Sequence, residues 1–234
     1  LILCPWRRPT LFSVYIRTTP SNLSVMIGED ATFVCEVGEQ ERGQYVVWEK
    51  ISEDSITEIV AYNNQTINFT KYEVTGTYKL SIFHTNLDDE ALYECQTEGK
   101  KANATLSVSV PMDSMSITWN VPTPLTYDSE VELTCRSYHS RPPAELSWYW
   151  GNHYVTLAAH YCYKSYKIDG FGDSVSVLRV SMKDHNSEIP FRCVASLPAN
   201  DHVKTEYVFL PITSISDATR ERRTSLHFIV YSII

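Results

Sequence analysis

Cysteine and histidine are the residues here with the most chemistry to offer. The chain of 234 residues holds six cysteines and seven histidines. Thiols serve as nucleophiles, metal ligands or disulfide partners, and imidazoles as bases or metal ligands. The histidines, His84, His139, His153, His160, His185, His202 and His227, are scattered. His153, His160 and Cys162 come nearest to a ligand cluster, but their spacings fit no standard zinc set. The acidic run Asp88-Asp89-Glu90 lacks the alternating spacing of a calcium loop. Gly-x-Ser-x-Gly, His-Glu-x-x-His and a glycine-rich phosphate loop do not occur. The expectation is a protein with no catalytic residues, no metal and no cofactor. A second chemistry is written more clearly. Asn22-Leu23-Ser24, Asn64-Gln65-Thr66, Asn68-Phe69-Thr70 and Asn103-Ala104-Thr105 are N-glycosylation sequons, and all four fall in the first half of the chain.

The elements that must position these residues are short strands. Phe33, Cys35 and Val37 share one face by period-2 alternation, and Val46 and Trp48 point inward from the next strand. Thr57–Tyr62 is rich in β-branched residues and reads as a further strand. Tyr78, Leu80 and Ile82, then Leu106, Val108 and Val110, supply more inward faces. Glu39-Gln40-Glu41-Arg42-Gly43 reads as a turn. A parallel set follows: Val131, Leu133 and Cys135 face one way, and Leu146, Trp148 and Trp150 another. Val175, Val177 and Arg179 alternate with Ser176, Leu178 and Val180.

Cysteine, then tryptophan thirteen residues later, then Tyr93-Glu94-Cys95 is the pattern of an immunoglobulin-type sandwich. It returns as Cys135, Trp148 and Cys193. The pattern implies bridges Cys35–Cys95 and Cys135–Cys193, hence an oxidising, extracellular compartment. The fold class expected is all-β, two tandem immunoglobulin-like sandwiches, the first variable-like and the second constant or C2-like. The domains would run over 20–110 and 111–212. The short join Val108-Ser109-Val110-Pro111-Met112-Asp113, with a single proline, implies limited swing. Phe191 replaces the corner tyrosine in the second domain, which removes its hydroxyl anchor. Cys162 has no counterpart in the first repeat and is open to pairing with Cys4, pairing with another chain, or staying free.

Residues 1–19 read as a leader remnant or a spurious extension, and 213–234 as a truncation or the start of a membrane segment. The apolar run Leu226–Ile234 is about half the length that crosses a bilayer. Net charge is −8 and uneven. Residues 20–110 hold 6 Lys/Arg against 15 Asp/Glu, and 111–212 hold 8 against 11. An acidic first domain argues against nucleic acid or anionic lipid as its ligand.

Two runs, Tyr72–Ile82 and Asp88–Gln96, resemble the first domain of the nephrin and Kirrel (Roughest/Kirre) adhesion receptors. Val110-Pro111 and Arg141–Trp148 resemble the linker and second domain of the same family, with nectins as a second likeness. The resemblance implies a cell-surface adhesion receptor, single-pass and extracellular, that meets another immunoglobulin-superfamily surface protein. No nucleic acid or small-molecule substrate is implied. The binding face would be the outer sheet of the first domain, with Val47, Glu49, Glu94 and Gln96, joined by Ile59 and Tyr62. The alternative is an immune-type receptor or secreted decoy for a soluble or non-self protein.

Overall fold

Trp48 and Trp148 are each fully buried and each lies at the centre of a separate core. The structure is a computed structural model that describes residues 15–38, 45–120, 125–184, 187–198 and 203–211. The chain divides into two units at Val108/Ser109. The expected turn at Glu39–Gly43, Cys4, His185, His202, His227 and the apolar run 226–234 lie outside the described residues.

Unit 1 is built from β1 (Ile16–Thr18), β2 (Leu23–Met26), β3 (Ala31–Phe33), β4 (Glu36–Val37), β5 (Val46–Ile51), β6 (Thr57–Tyr62), β7 (Gln65–Thr66), β8 (Tyr72–Thr75), β9 (Lys79–Ile82), β10 (Ala91–Thr97) and β11 (Lys100–Ser109). A six-stranded sheet runs β2-β11-β10-β5-β6-β7, a three-stranded sheet runs β3-β9-β8, and β1 pairs with β4. Strand β1 belongs to residues that the sequence reading set aside as an end. Ile16 pairs with Val37 and packs on the core, so the sandwich takes in more of the N-terminal segment than expected.

Between the sheets, Phe33, Trp48, Leu80, Ile82, Tyr93 and Leu106 are fully buried around the Cys35–Cys95 disulfide. A buried indole N–H needs an acceptor, and Trp48 Nε1 donates to the Tyr78 carbonyl at 3.1 Å. The Tyr93 hydroxyl donates to the Asp89 carbonyl at 3.0 Å. This ties β10 to the 3-10 turn Leu87–Asp89, which Asn86 caps by accepting from the Asp88 N–H. Burial, with the Asp89 carboxylate and Glu58 adding to it, pushes Tyr72 up to about 12, and burial raises Tyr93 further. Both phenols therefore stay neutral at physiological pH and serve as hydrogen-bonding groups of the core. Tyr93→Phe is expected to cost unit 1 about 1–2 kcal/mol, the usual worth of a buried hydrogen bond whose acceptor is left unpaired. Urea denaturation followed by tryptophan fluorescence measures it.

Unit 2 comprises β12 (Ser114–Trp119), β13 (Glu130–Ser140), β14 (Glu145–Trp150), β15 (His153–Tyr154), β16 (Ala159–Lys164), β17 (Gly172–Ser181), β18 (Phe191–Ser196) and β19 (Val203–Val208). One sheet runs β12-β13-β17-β16 and the other β15-β14-β18-β19. The Cys135–Cys193 disulfide joins them beside Trp148. Trp148 Nε1 donates to Ser176 Oγ at 3.1 Å. That bond explains why β17 turns Ser174 and Ser176 into the core and leaves Val175 and Val177 half-buried on its other face. Phe191 occupies the corner position without a hydroxyl and is held by stacking on Trp150, with ring centroids 6.3 Å apart.

Candidate protein-docking face

The outer face of the six-stranded sheet follows from register. Residues directly opposite on neighbouring antiparallel strands point to the same side. Trp48 and Cys95 are paired and point inward. The flanking positions must therefore point outward, and they form rows across the sheet. One row is Asn103, Glu94, Glu49 and Ile59, and the next is Lys101, Gln96, Val47 and Tyr62.

Every residue expected on this face lies in those two rows, but two are covered. Val47 is only 8% exposed and Glu94 only 7%. Both sit on the central strands β5 and β10, enclosed by their row neighbours. Glu94 is closed over by Lys101, whose ammonium lies 2.6 Å from its carboxylate. That hydrogen bond, with the Glu94 and Glu49 charges, raises the Lys101 ammonium above the usual lysine range. Sequence alternation gave the side of the sheet correctly and overlooked the neighbours' size. Val47 and Glu94 thus lie largely covered beneath the other side chains of the face. Glu49 and Gln96 are half-buried, while Ile59 is 50% and Tyr62 51% exposed. Tyr62 stacks on Tyr45, with ring centroids 5.9 Å apart, so the β6 side of the face presents an ordered aromatic surface. A bulge sharpens it: β6 slips register opposite Trp48 and Glu49, so both Val60 and Ala61 are buried and Ile59 and Tyr62 face outward on either side of them.

Several exposed apolar residues escaped the sequence reading. Ile56, Ile67 and Phe69 stand in the turns around β6 and β7, and Phe69 is 85% exposed. Ile67 and Phe69 lie beside sequons, in Gln65-Thr66-Ile67-Asn68-Phe69-Thr70, and that adjacency was the available signal.

The sequon asparagines are all exposed. Asn103 is in the first row, opposite Glu94. Asn22 lies at the β2 edge, its Oδ1 accepting from the Thr105 N–H at 2.9 Å. Asn64 is in the β6–β7 turn. Asn68 Oδ1 accepts from the Thr70 hydroxyl at 2.7 Å. The sequons thus lie at the β2 and β7 edges of the sheet and, through Asn103, on β11 within the first row.

Elsewhere, Cys162 is exposed and free on β16, its Sγ 3.3 Å from Ser176 Oγ. Among the described residues, no group of three or more His, Cys, Asp or Glu is placed to hold a metal. No helix among them is long and apolar enough to cross a membrane.

Comparison with known proteins agrees with this architecture. Residues 14–111 match the immunoglobulin I-set domain, and residues 113–203 match the CD80-like C2-set immunoglobulin domain. The Irregular chiasm C-roughest protein of Drosophila melanogaster is 31% identical over 146 residues, covering 56% of this chain and 19% of that one. Human cell adhesion molecule 1 is 25% identical over 146 residues, covering 56% of this chain and 30% of that one. The chain therefore spans less than a third of these relatives. The solved structure of Rst D1-D2 superposes with a TM-score of 0.58 at 24% identity, over 86% of this chain and 99% of that one, which is a likeness of fold. Immunoglobulin-domain adhesion proteins of this kind are extracellular or plasma-membrane molecules and are non-enzymatic. The chain is a member of the immunoglobulin superfamily, made of an I-set domain followed by a CD80-like C2-set domain.

Proposed function

We propose that this ectodomain recognises another immunoglobulin-type surface protein through the β5–β6 side of the outer sheet of unit 1, at the outer face of a cell membrane. The observation that carries the reading is the Tyr62–Tyr45 stack beside exposed Ile59 on a rigid, disulfide-pinned sheet. Rigid aromatic and apolar groups on an exposed sheet lose little entropy on docking and are what protein interfaces favour. Glu49 and Gln96 form the polar margin, and Val47 and Glu94 act as support.

Glycans on Asn22, Asn64, Asn68 and Asn103 would restrict the approach. Strands lie about 4.8 Å apart, so Asn103 on β11 is some 14 Å from Ile59, three strands away. A bulky sugar there covers the β11 half of the face and leaves the β5–β6 half for a partner.

Tyr62→Asp is expected to weaken binding at least tenfold, because a carboxylate would be desolvated without a partner, while the lost Tyr45 stack costs the fold only about 0.5–1.5 kcal/mol. The measurement is binding of bead-coupled chain to itself and to a panel of immunoglobulin-type ectodomains. Undiminished binding by the variant removes the face. Capture of a soluble ligand, with no binding to any surface ectodomain, favours a decoy receptor.

A further inference from the structure

The outer face of the second sheet of unit 2 carries an unneutralised cation. Tyr154, Tyr149, Arg192 and Tyr207 form a single row across β15-β14-β18-β19. The guanidinium of Arg192 lies over the Tyr149 ring, 4.4 Å from its centroid, and Tyr154 meets Tyr149 edge-on at 5.5 Å. Tyr154, Tyr207, Val203 and Phe209 are exposed around it. Six described lysines and arginines are half-buried: Lys50, Lys71, Arg141, Lys164, Arg192 and Lys204. Five of them have an oxygen acceptor, from the Asp88 carbonyl for Lys50 to the Met112 carbonyl for Lys204. Arg192 has none among the described residues, and its Nε is buried without a hydrogen bond. A partly desolvated guanidinium, pre-ordered by an aromatic face and rimmed by exposed tyrosines, is the composition of an interface centre that lacks a carboxylate. No sequon occurs in residues 111–212, so unit 2 carries no N-linked glycan of its own beside it.

The complementary group occurs in the same chain. The β5–β6 turn of unit 1 and the start of β6 expose Glu53, Asp54 and Glu58 around exposed Ile56, and none of the three carboxylates has an ion pair among the described residues. Residues 20–110 carry a net −9. This turn lies at the end of β6 away from Asn64, about 16 Å along the strand. A carboxylate brought to a half-buried arginine makes a charge-assisted bond of the stronger kind, and Ile56 has tyrosine and phenylalanine side chains to rest against.

We propose that the Arg192 face of unit 2 is a second protein-docking face, and that its occupant is the acidic β5–β6 turn of a second copy of this chain. This contact is separate from the Tyr62 face, so it is tested in the Tyr62→Asp background. Sedimentation velocity of the glycosylated chain is run from about 1 to about 100 µM, the range in which a weak surface contact fills. Salt-sensitive self-association is expected, weakening as ionic strength rises. Arg192→Glu is expected to weaken it at least tenfold, and adding Glu53→Arg with Asp54→Arg to restore it. Should Arg192→Glu lower the melting temperature, Tyr207→Ser, at an exposed position, takes its place and is expected to weaken association several-fold. A chain that stays monomeric throughout, association indifferent to Arg192→Glu and Tyr207→Ser, or a charge swap that restores nothing would each overturn the proposal.

Discussion

Alanine at both Cys35 and Cys95 is expected to lower the stability of unit 1 by about 4 kcal/mol. The bridge closes a loop across a sequence separation of 60, and the chain-entropy relation for a loop of that length gives ~4 kcal/mol at room temperature. A small domain has a total margin of about 5–15 kcal/mol, so the loss removes a large share of it. The core offers little compensation, because Trp48, Phe33 and Tyr93 pack around the sulfurs, and two alanines leave a void that a close-packed interior fills poorly. Urea unfolding of the full chain measures the shift, with unit 2 and its intact Cys135–Cys193 bridge as the internal reference. A cost under about 1 kcal/mol would show that the sandwich holds by packing alone. The expected cost also bears on compartment: reducing conditions that keep both pairs as thiols would leave a unit of marginal stability, which suits an extracellular setting.

Much of the fold was legible because each feature had a local cause. Strand alternation marks the inward faces, and the Cys-Trp-Cys spacing, met twice, marks two cores. Strand β6 occupies the predicted Thr57–Tyr62. Tyr93 anchors its corner and Phe191, lacking a hydroxyl, stacks instead. What stayed hidden depends on partners distant in sequence. Hydrophobicity alone would turn Val175 and Val177 inward on β17; the inward residues are Ser174 and Ser176, because the indole of Trp148 needs an acceptor there. Alternation assigns Val47 and Glu94 to the outer face, yet how far each is covered depends on strands that the sequence does not align. Strand β1 falls within residues 1–19, which read as a leader remnant or a spurious extension; it is three residues long and pairs with residues some twenty positions on, so no local pattern marks it. The Arg192 row was equally invisible. Its four residues come from β15, β14, β18 and β19, and only register brings them together.

The largest expected effect on function comes from moving a glycan onto the proposed face. Tyr62→Asn with Asn64→Thr shifts the natural sequon by two residues, from the β6–β7 turn onto the outer row of β6. The residue between is kept, and its anchoring is kept with it: Asn63 Oδ1 accepts from the Val46 N–H at 2.9 Å, and the Asn63 N–H donates to the Val46 carbonyl at 2.7 Å. The fold therefore has no reason to change beyond the lost Tyr45 stack, which is worth about 0.5–1.5 kcal/mol. A sugar at this position excludes any partner from the face. The decisive measurement is binding of this variant, with glycan occupancy confirmed by mass, to whichever immunoglobulin-type ectodomain the unaltered chain binds. Loss of at least a hundredfold in affinity, recovered in part when the sugar is removed enzymatically, is the predicted result; full affinity with the sugar in place would mean that the outer sheet of unit 1 is not where this protein meets its partner.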